Sequence, residues 1–316
     1  MDIEVLDGGL QTTIQDLGRT GYQAQGMVVS GAMDPYSFQI ANLLVGNHPN
    51  EPAIETALGG LTLQVHRDLV VAVTGADLGL EIDGQSAPLW ETIPLKKGAI
   101  LRFTGRKTGV RAYLAFQGGL ALQPVFGSYA TYLMGQIGGY EGRALKKGDR
   151  LHIKKHSSSY PRFFHRKLPN EYIPRYPKQK HLRVILGINQ DAFTEEGIHT
   201  FLTTPYKITP RYNRMGMRLE GAKIAHRTKA DIISTTVTFG TVQVPANGQP
   251  IILLADRQTT GGYTQIANVI TADLPLLGQS LAGESLAFRT ISLQQAQRLA
   301  MEQNRFLKQL QAHQWY

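Results

Sequence analysis

Between Asp256 and Tyr263 the chain reads Asp-Arg-Gln-Thr-Thr-Gly-Gly-Tyr, almost all hydrogen-bonding side chains and glycine. The apolar run Ile251 to Ala255 comes just before it and reads as a buried strand. A strand that empties into such a cluster can present polar groups to a ligand, although the same composition also suits a polar hairpin turn. Asp256, at the end of that apolar strand, can accept protons or hydrogen bonds and is the candidate acid-base or substrate-orienting carboxylate. Gln258, Thr259, Thr260 and Tyr263 carry the donors and acceptors that would fix an amide or ureido edge, and Gln243, just before Pro245, adds another amide. Gly261-Gly262 would let the backbone come close to something. Arg214 and Arg218 flank Met215-Gly216-Met217 at an even spacing, which on an extended segment points both guanidiniums to one face. Such a pair can clamp a carboxylate or a developing negative charge; two solvated arginines on a strand edge would show the same pattern.

A second polar cluster lies near the other end: Gln11-Thr12-Thr13-Ile14-Gln15-Asp16-Leu17-Gly18-Arg19, then Ser30-Gly31-Ala32-Met33-Asp34. Further blocks are Ala41 to Asn47, Arg214 to Gly221 and Gln243-Val244-Pro245. Taken together and in this order, they resemble the biotin-dependent carboxyltransferase-like family, which includes the C subunit of 5-oxoprolinase, the second subunit of allophanate hydrolase and part of urea carboxylase. The resemblance runs from Gly9 to about Phe288. It implies a mainly β protein of two β-rich domains, the second containing a cyclophilin-like β-barrel, with a C-terminal helix. It also implies one of three functions. The first is membership of an ATP-dependent 5-oxoprolinase complex that opens 5-oxoproline to L-glutamate, with a companion like the 5-oxoprolinase B subunit and with the A subunit as partners. The second is a carboxyltransferase component acting on urea or a related amide with biotin. The third is a non-enzymatic antagonist of a companion kinase-inhibitor protein. Under the first, Asp256 and Arg214 would be catalytic. Arg218, Gln243, Gln258, Thr259, Thr260 and Tyr263 would bind substrate, and Asp16, Arg19, Ser30 and Asp34 would serve it from the first domain. Asp34 as a helix cap and Asp16 with Arg19 as an ion pair remain equally open. The segment Arg211-Tyr212-Asn213 departs from relatives, which more often carry a serine and an aspartate there, so no role passes to Asn213.

The absences narrow the chemistry. With no cysteine there is neither a disulfide nor a thiolate nucleophile or ligand, a count that suits a reducing, cytoplasmic setting. No Gly-x-x-x-x-Gly-Lys-[Ser/Thr] loop is present, so ATP is expected to act through the complex rather than on a phosphate loop of this chain. The nine histidines are scattered without His-Glu-x-x-His spacing, and no metal is expected. No apolar run approaches the ~20 residues that span a bilayer, and the N-terminal residues lack the pattern of an export signal, so neither a membrane span nor export is expected.

A formal charge of +9 raises the question of nucleic acid. Much of it falls between Lys154 and Arg183, interleaved with Tyr160, Phe163, Phe164, Tyr172 and Tyr176. Pro161, Pro169, Pro174 and Pro177 mark this stretch as a solvated connector instead, and no nucleic-acid partner is expected. The expected organisation is a β-rich domain over 1–153, a basic linker over 154–181, the barrel domain over 182–290 and a terminal helix over 291–316.

Strand character is clearest at Leu61 to Val65, Leu69 to Val73, Leu80 to Ile82, Ile100 to Phe103, Arg111 to Phe116, Leu151 to Ile153 and Leu182 to Gly187. Ile208, Ile224, Ile232-Ile233, Thr241 to Val244 and Ile251 to Leu254 are further candidates. Two helices carry start signals. One is capped by Asp34 with Pro35 at its first position and stops at Gly46. The other is capped by Ser292, with Gln295 completing a capping box.

Overall fold

The computed structural model describes residues 2–154 and 166–312. The chain is mainly β and falls into two units that are not contiguous in sequence. The first comprises 1–19, 30–175 and 306–316, the second 20–29 and 176–305.

In the first unit two antiparallel sheets face each other. One has the strand order Arg150–Leu151, Ile3–Gly8, Leu61–Val65, Ile100–Phe103, Leu80–Ile82 and Gln85–Ser86; the other runs Gln11–Gln15, Ala53–Ala57, Thr108–Phe116, Leu69–Asp77 and Thr92–Leu95. Alternation accounts for the layering. Val71 and Val73 point into the inter-sheet core with Ile3, Leu63, Leu101 and Phe103. Val70 and Ala72, one residue out of phase, meet Phe38, Ile40 and Leu44 of the helix Pro35–Leu44 on the opposite face. Coverage on both faces explains why Leu69–Asp77 is buried at every position but its last.

The second unit is built on a closed barrel of seven strands in the order Gln179–Leu186, Gln265–Val269, Thr241–Gln243, Ile251–Leu253, Gly216–Glu220, Tyr206–Tyr212 and Ser285–Thr290. The ring closes through a parallel pairing of first and last strands, Gln179 with Ser285 through to Val184 with Thr290. Leu182, Val184, Ile208, Leu219, Val242 and Ile252 are buried. Phe201, on the helix Glu195–Thr203, stacks on Phe288 with centroids 4.4 Å apart.

Both anticipated helices form at their caps. Asp34 accepts from the Ser37 backbone N–H at 2.9 Å and from its hydroxyl at 2.6 Å. Ser292 Oγ accepts from Gln295 N–H at 3.2 Å while Gln295 Oε1 accepts from Ser292 N–H at 2.9 Å, and the helix Leu293–Ala312 follows.

Three local expectations are corrected. Ile224 lies outside any strand, although buried. Ile153 takes part only in an isolated bridge to Leu120, beyond the strand Arg150–Leu151. The first barrel strand begins at Gln179, inside the supposed linker, because residues 179–184 alternate outward and inward and Lys180 turns in to meet Glu284 at 2.6 Å. Lys180 is therefore a buried ion-pair partner and no part of a basic surface. Arg183 likewise forks onto Asp273. Tyr172 stacks on Phe306 at 3.9 Å. The basic and aromatic residues over 155–165 lie outside the described residues.

Candidate functional site

The second unit carries a cleft of about 450 Å³ on the barrel. Its polar groups come from five segments: Arg211 and Tyr212 at the end of Tyr206–Tyr212, Asn213 in the turn that follows, Arg218 on Gly216–Glu220, Gln243 on Thr241–Gln243, and Gln258 with Tyr263 from the polar stretch. Met215, Ile251 and Leu253 supply apolar wall. Three candidate amide readers, Gln243, Gln258 and Tyr263, thus meet in one place with Arg218.

The polar stretch is neither a simple hairpin turn nor wholly a loop. A turn at Ala255 and Asp256 follows the strand, after which Thr260–Tyr263 becomes a strand paired with Asp231–Thr236 in a two-stranded ribbon. Thr259 and Thr260 do not line the cleft. The close approach expected at the glycines is made by Gln243, whose Nε2 donates to Tyr263 O at 3.1 Å and would lie 2.5 Å from a Cβ on Gly261. Gly261 is thus what allows the Gln243 amide to lie flat against this strand.

Arg214 and Asp256 meet each other. Arg214 Nε donates to Asp256 Oδ2 and Nη2 to Oδ1, both at 3.0 Å, and Asp256 N–H donates to Arg214 O at 2.8 Å. Both side chains are only 5% exposed. The expectation that Arg214 and Arg218 present one common face is corrected: Arg214 is buried in this pair, whereas Arg218 is exposed and lines the cleft. The cause is that the strand begins at Gly216, so the even spacing does not run along continuous extended chain as far as Arg214. Arg257 donates to the carbonyls of Leu254 and Val237, and its burial pulls the guanidinium below its ordinary value, with Asp256 opposing. Asn213 Oδ1 accepts from Met215 and Gly216 N–H at 2.8 and 3.1 Å and fixes the turn into the strand.

The four first-domain candidates sit together in the first unit as a buried scaffold. Asp16 Oδ1 accepts from Ser128 Oγ and Gly18 N–H, and Oδ2 from Tyr129 N–H. Arg19 Nη2 donates to Ala130 O, and Ser30 Oγ donates to Thr131 O at 3.0 Å. Asp34 caps its helix, and its backbone N–H donates to Tyr113 Oη at 2.8 Å. Asp16, Arg19 and Ser30 thereby tie the polar N-terminal segments to the loop 128–131, at sequence separations above 100 residues. Beneath them Glu55 Oε2 accepts from Tyr113 Oη at 2.7 Å and from Met33 N–H at 2.9 Å. Burial, and next the Glu55 charge, push the Tyr113 hydroxyl well above its ordinary value.

Arg211, in the divergent segment Arg211-Tyr212-Asn213, also lines the cleft. No local signal marks it, because a strand bulge sets its position. Among the described residues no group of acidic and histidine side chains is placed to hold a metal, and no helix is long and apolar enough to cross a membrane.

A two-sheet unit joined to a seven-stranded barrel that carries an amide- and arginine-lined cleft is the architecture of a carboxyltransferase-type protein. The chain belongs to the family of the carboxyltransferase domain, subdomain A and B, which matches residues 25–290. It is 37% identical over 308 residues to the 5-oxoprolinase C subunit of Escherichia coli K12, covering 98% of this chain and 97% of that protein. It is 32% identical over 323 residues to urea amidolyase of Saccharomyces cerevisiae, covering 98% of this chain but 18% of that one. Among solved structures, the Kluyveromyces lactis urea amidolyase superposes with a TM-score of 0.92 at 32% identity, over all of this chain and 20% of that enzyme. The chain thus spans about a fifth of the urea amidolyases and nearly the whole of the bacterial 5-oxoprolinase component.

Proposed function

We propose that this chain is one component of an ATP-dependent 5-oxoprolinase complex that opens 5-oxoproline to L-glutamate and is active only with its companion subunits. The observation that carries this proposal is near-complete coextension, at 37% identity, with proteins named as the C subunit of 5-oxoprolinase. The cleft is consistent with it. Gln243, Gln258 and Tyr263 suit the cis amide edge of a small lactam, Arg218 suits a carboxylate, and Ile251 and Leu253 suit a ring's methylenes. Arg214 and Asp256 act from behind as a buried brace between the start of the strand that carries Arg218 and the segment that carries Gln258. Their pairing makes them positioning residues in this proposal. ATP is assigned to the companions.

A carboxyltransferase acting on urea or a related amide is the second possibility, favoured by the superposition on urea amidolyase. The cleft's amide and hydroxyl groups fit a ureido edge, so Gln243, Gln258 and Tyr263 are the residues that would hold biotin. Bound there, biotin would supply an activated carboxyl group. The two are separated by co-purifying the chain with its companions and assaying ATP-dependent glutamate release from 5-oxoproline beside carboxybiotin-dependent carboxylation of urea. Lactam opening with no urea carboxylation is expected; the reverse would replace the proposal with the carboxyltransferase, and neither activity from a stable complex would point to the non-enzymatic alternative.

A further inference from the structure

We infer that Arg211 and Arg218 form a carboxylate clamp on the cleft, so that the site selects small amides bearing a carboxylate over neutral amides. This deepens the 5-oxoprolinase proposal and rests on it for the identity of the substrate.

The clamp arises from a bulge. In the ladder between Tyr206–Tyr212 and Gly216–Glu220, Ile208 pairs with Leu219 and Tyr212 with Met217, so Thr209, Pro210 and Arg211 together oppose Arg218 alone. The bulge is pinned by side-chain bonds. Thr209 Oγ1 donates to Arg218 O at 3.0 Å and accepts from Arg211 N–H at 3.3 Å. Pro210, at its centre, has no N–H to satisfy. Two exposed arginines are thereby placed across one rung, and both line the cleft.

Like charges facing each other across a ladder destabilise a sheet unless something anionic sits between them. Among the described residues no carboxylate lines the cleft to play that part. Glu220, the nearest acid along the strand, stands opposite Lys207, and Asp256 is committed to Arg214. Among the described residues neither Arg211 nor Arg218 has an ion-pair partner. Planar guanidiniums match carboxylate geometry with two parallel hydrogen bonds. An α-carboxyl is ionised at neutral pH, whereas urea and unsubstituted lactams carry no charge to offer the pair. The small volume and the adjoining glutamines and apolar wall favour a compact carboxylate-bearing amide over a polyphosphate.

The test uses the full chain, alone and in the complex, as wild type, Arg211→Gln, Arg218→Gln and the control Lys207→Gln, whose side chain does not line the cleft. Ligand-observed NMR measures binding of 5-oxoproline and of the neutral 2-pyrrolidinone to the chain; steady-state kinetics measure KM and kcat for 5-oxoproline in the complex. Loss of one charge-assisted contact predicts about ten- to hundredfold weaker 5-oxoproline binding in each arginine variant. The 2-pyrrolidinone affinity should stay within about twofold, the effect should appear mainly in KM, and Lys207→Gln should behave as wild type. No preference of the wild type for 5-oxoproline over 2-pyrrolidinone, including binding of neither, overturns the clamp, as does displacement of 5-oxoproline by inorganic phosphate at equal concentration. If the complex opens no lactam while the charge preference is present and is lost in Arg211→Gln, the 5-oxoprolinase proposal fails and the clamp stands. Undiminished turnover and binding in both arginine variants leaves that proposal standing and removes the clamp.

Discussion

Replacing Asp256 with asparagine separates a structural brace from a proton-transfer group. The Arg214–Asp256 pair is joined by two side-chain bonds of 3.0 Å and one backbone bond of 2.8 Å, with both side chains 5% exposed. Asparagine keeps the shape but removes the charge and turns one acceptor into a donor facing a guanidinium. Stranding a buried charge in this way costs about 3–5 kcal/mol. At roughly 2–4 °C per kcal/mol for a domain of this size, the melting temperature should fall by about 6–20 °C. Replacing both partners, Arg214→Met with Asp256→Leu, removes both charges together and should recover most of the loss. Thermal unfolding followed by circular dichroism, on Asp256→Asn, on Arg214→Met and Asp256→Leu singly and on the double, reads this directly. If Asp256→Asn melts within about 2 °C of wild type while turnover by the assembled complex collapses, the bracing argument is refuted and Asp256 acts on substrate itself.

Three further outcomes follow from the geometry. Gly261→Ala places a methyl 2.5 Å from Gln243 Nε2 and should raise KM for the substrate by displacing that amide, at a cost of about 1–3 kcal/mol in stability measured by denaturant titration. Asp16→Ala releases Ser128 Oγ, Tyr129 N–H and Gly18 N–H together and should lower stability by about 2–4 kcal/mol; hydrogen exchange should show the loop 128–131 opening first. Tyr113 has a folded pKa raised above its unfolded value, so above about pH 10 the unfolded chain gives up this proton while the folded chain keeps it. Stability therefore falls as pH rises from there towards the folded value. Tyr113→Phe should flatten that part of an alkaline unfolding curve while lowering stability at neutral pH, since Glu55 and the Asp34 N–H each lose a partner.

What was legible in the sequence was local. The helices at Pro35 and Leu293 could be placed because their caps lie within three residues of the groups they satisfy. Strands such as Leu61–Val65 and Ile100–Phe103 showed because their pattern is their own. The mainly β class and the barrel of the second half were within reach because several blocks matched in order. The helices Glu195–Thr203 and Leu274–Gly278 were missed: they run only nine and five residues, too short for a periodic pattern to stand out. At the candidate site, Gln243, Gln258, Tyr263 and Arg218 could be nominated because residue type suggests their chemistry and they fall in blocks that carry the family resemblance. That Arg214 would be taken up by Asp256, 42 residues away, depends on which strands become neighbours. The same holds for Arg211, which faces Arg218 only because three residues bulge against one. Lys180 shows the opposite error: a lysine in a basic stretch read as solvated, although strand alternation turns it inward to Glu284.

The most direct test of the central proposal is to measure glutamate released from 5-oxoproline, with ATP consumed in parallel, by the companion subunits with and without this chain. The proposal predicts glutamate release coupled to ATP hydrolysis only when the chain is present. Equal release in its absence, or none from an assembled complex that contains it, would contradict the proposal.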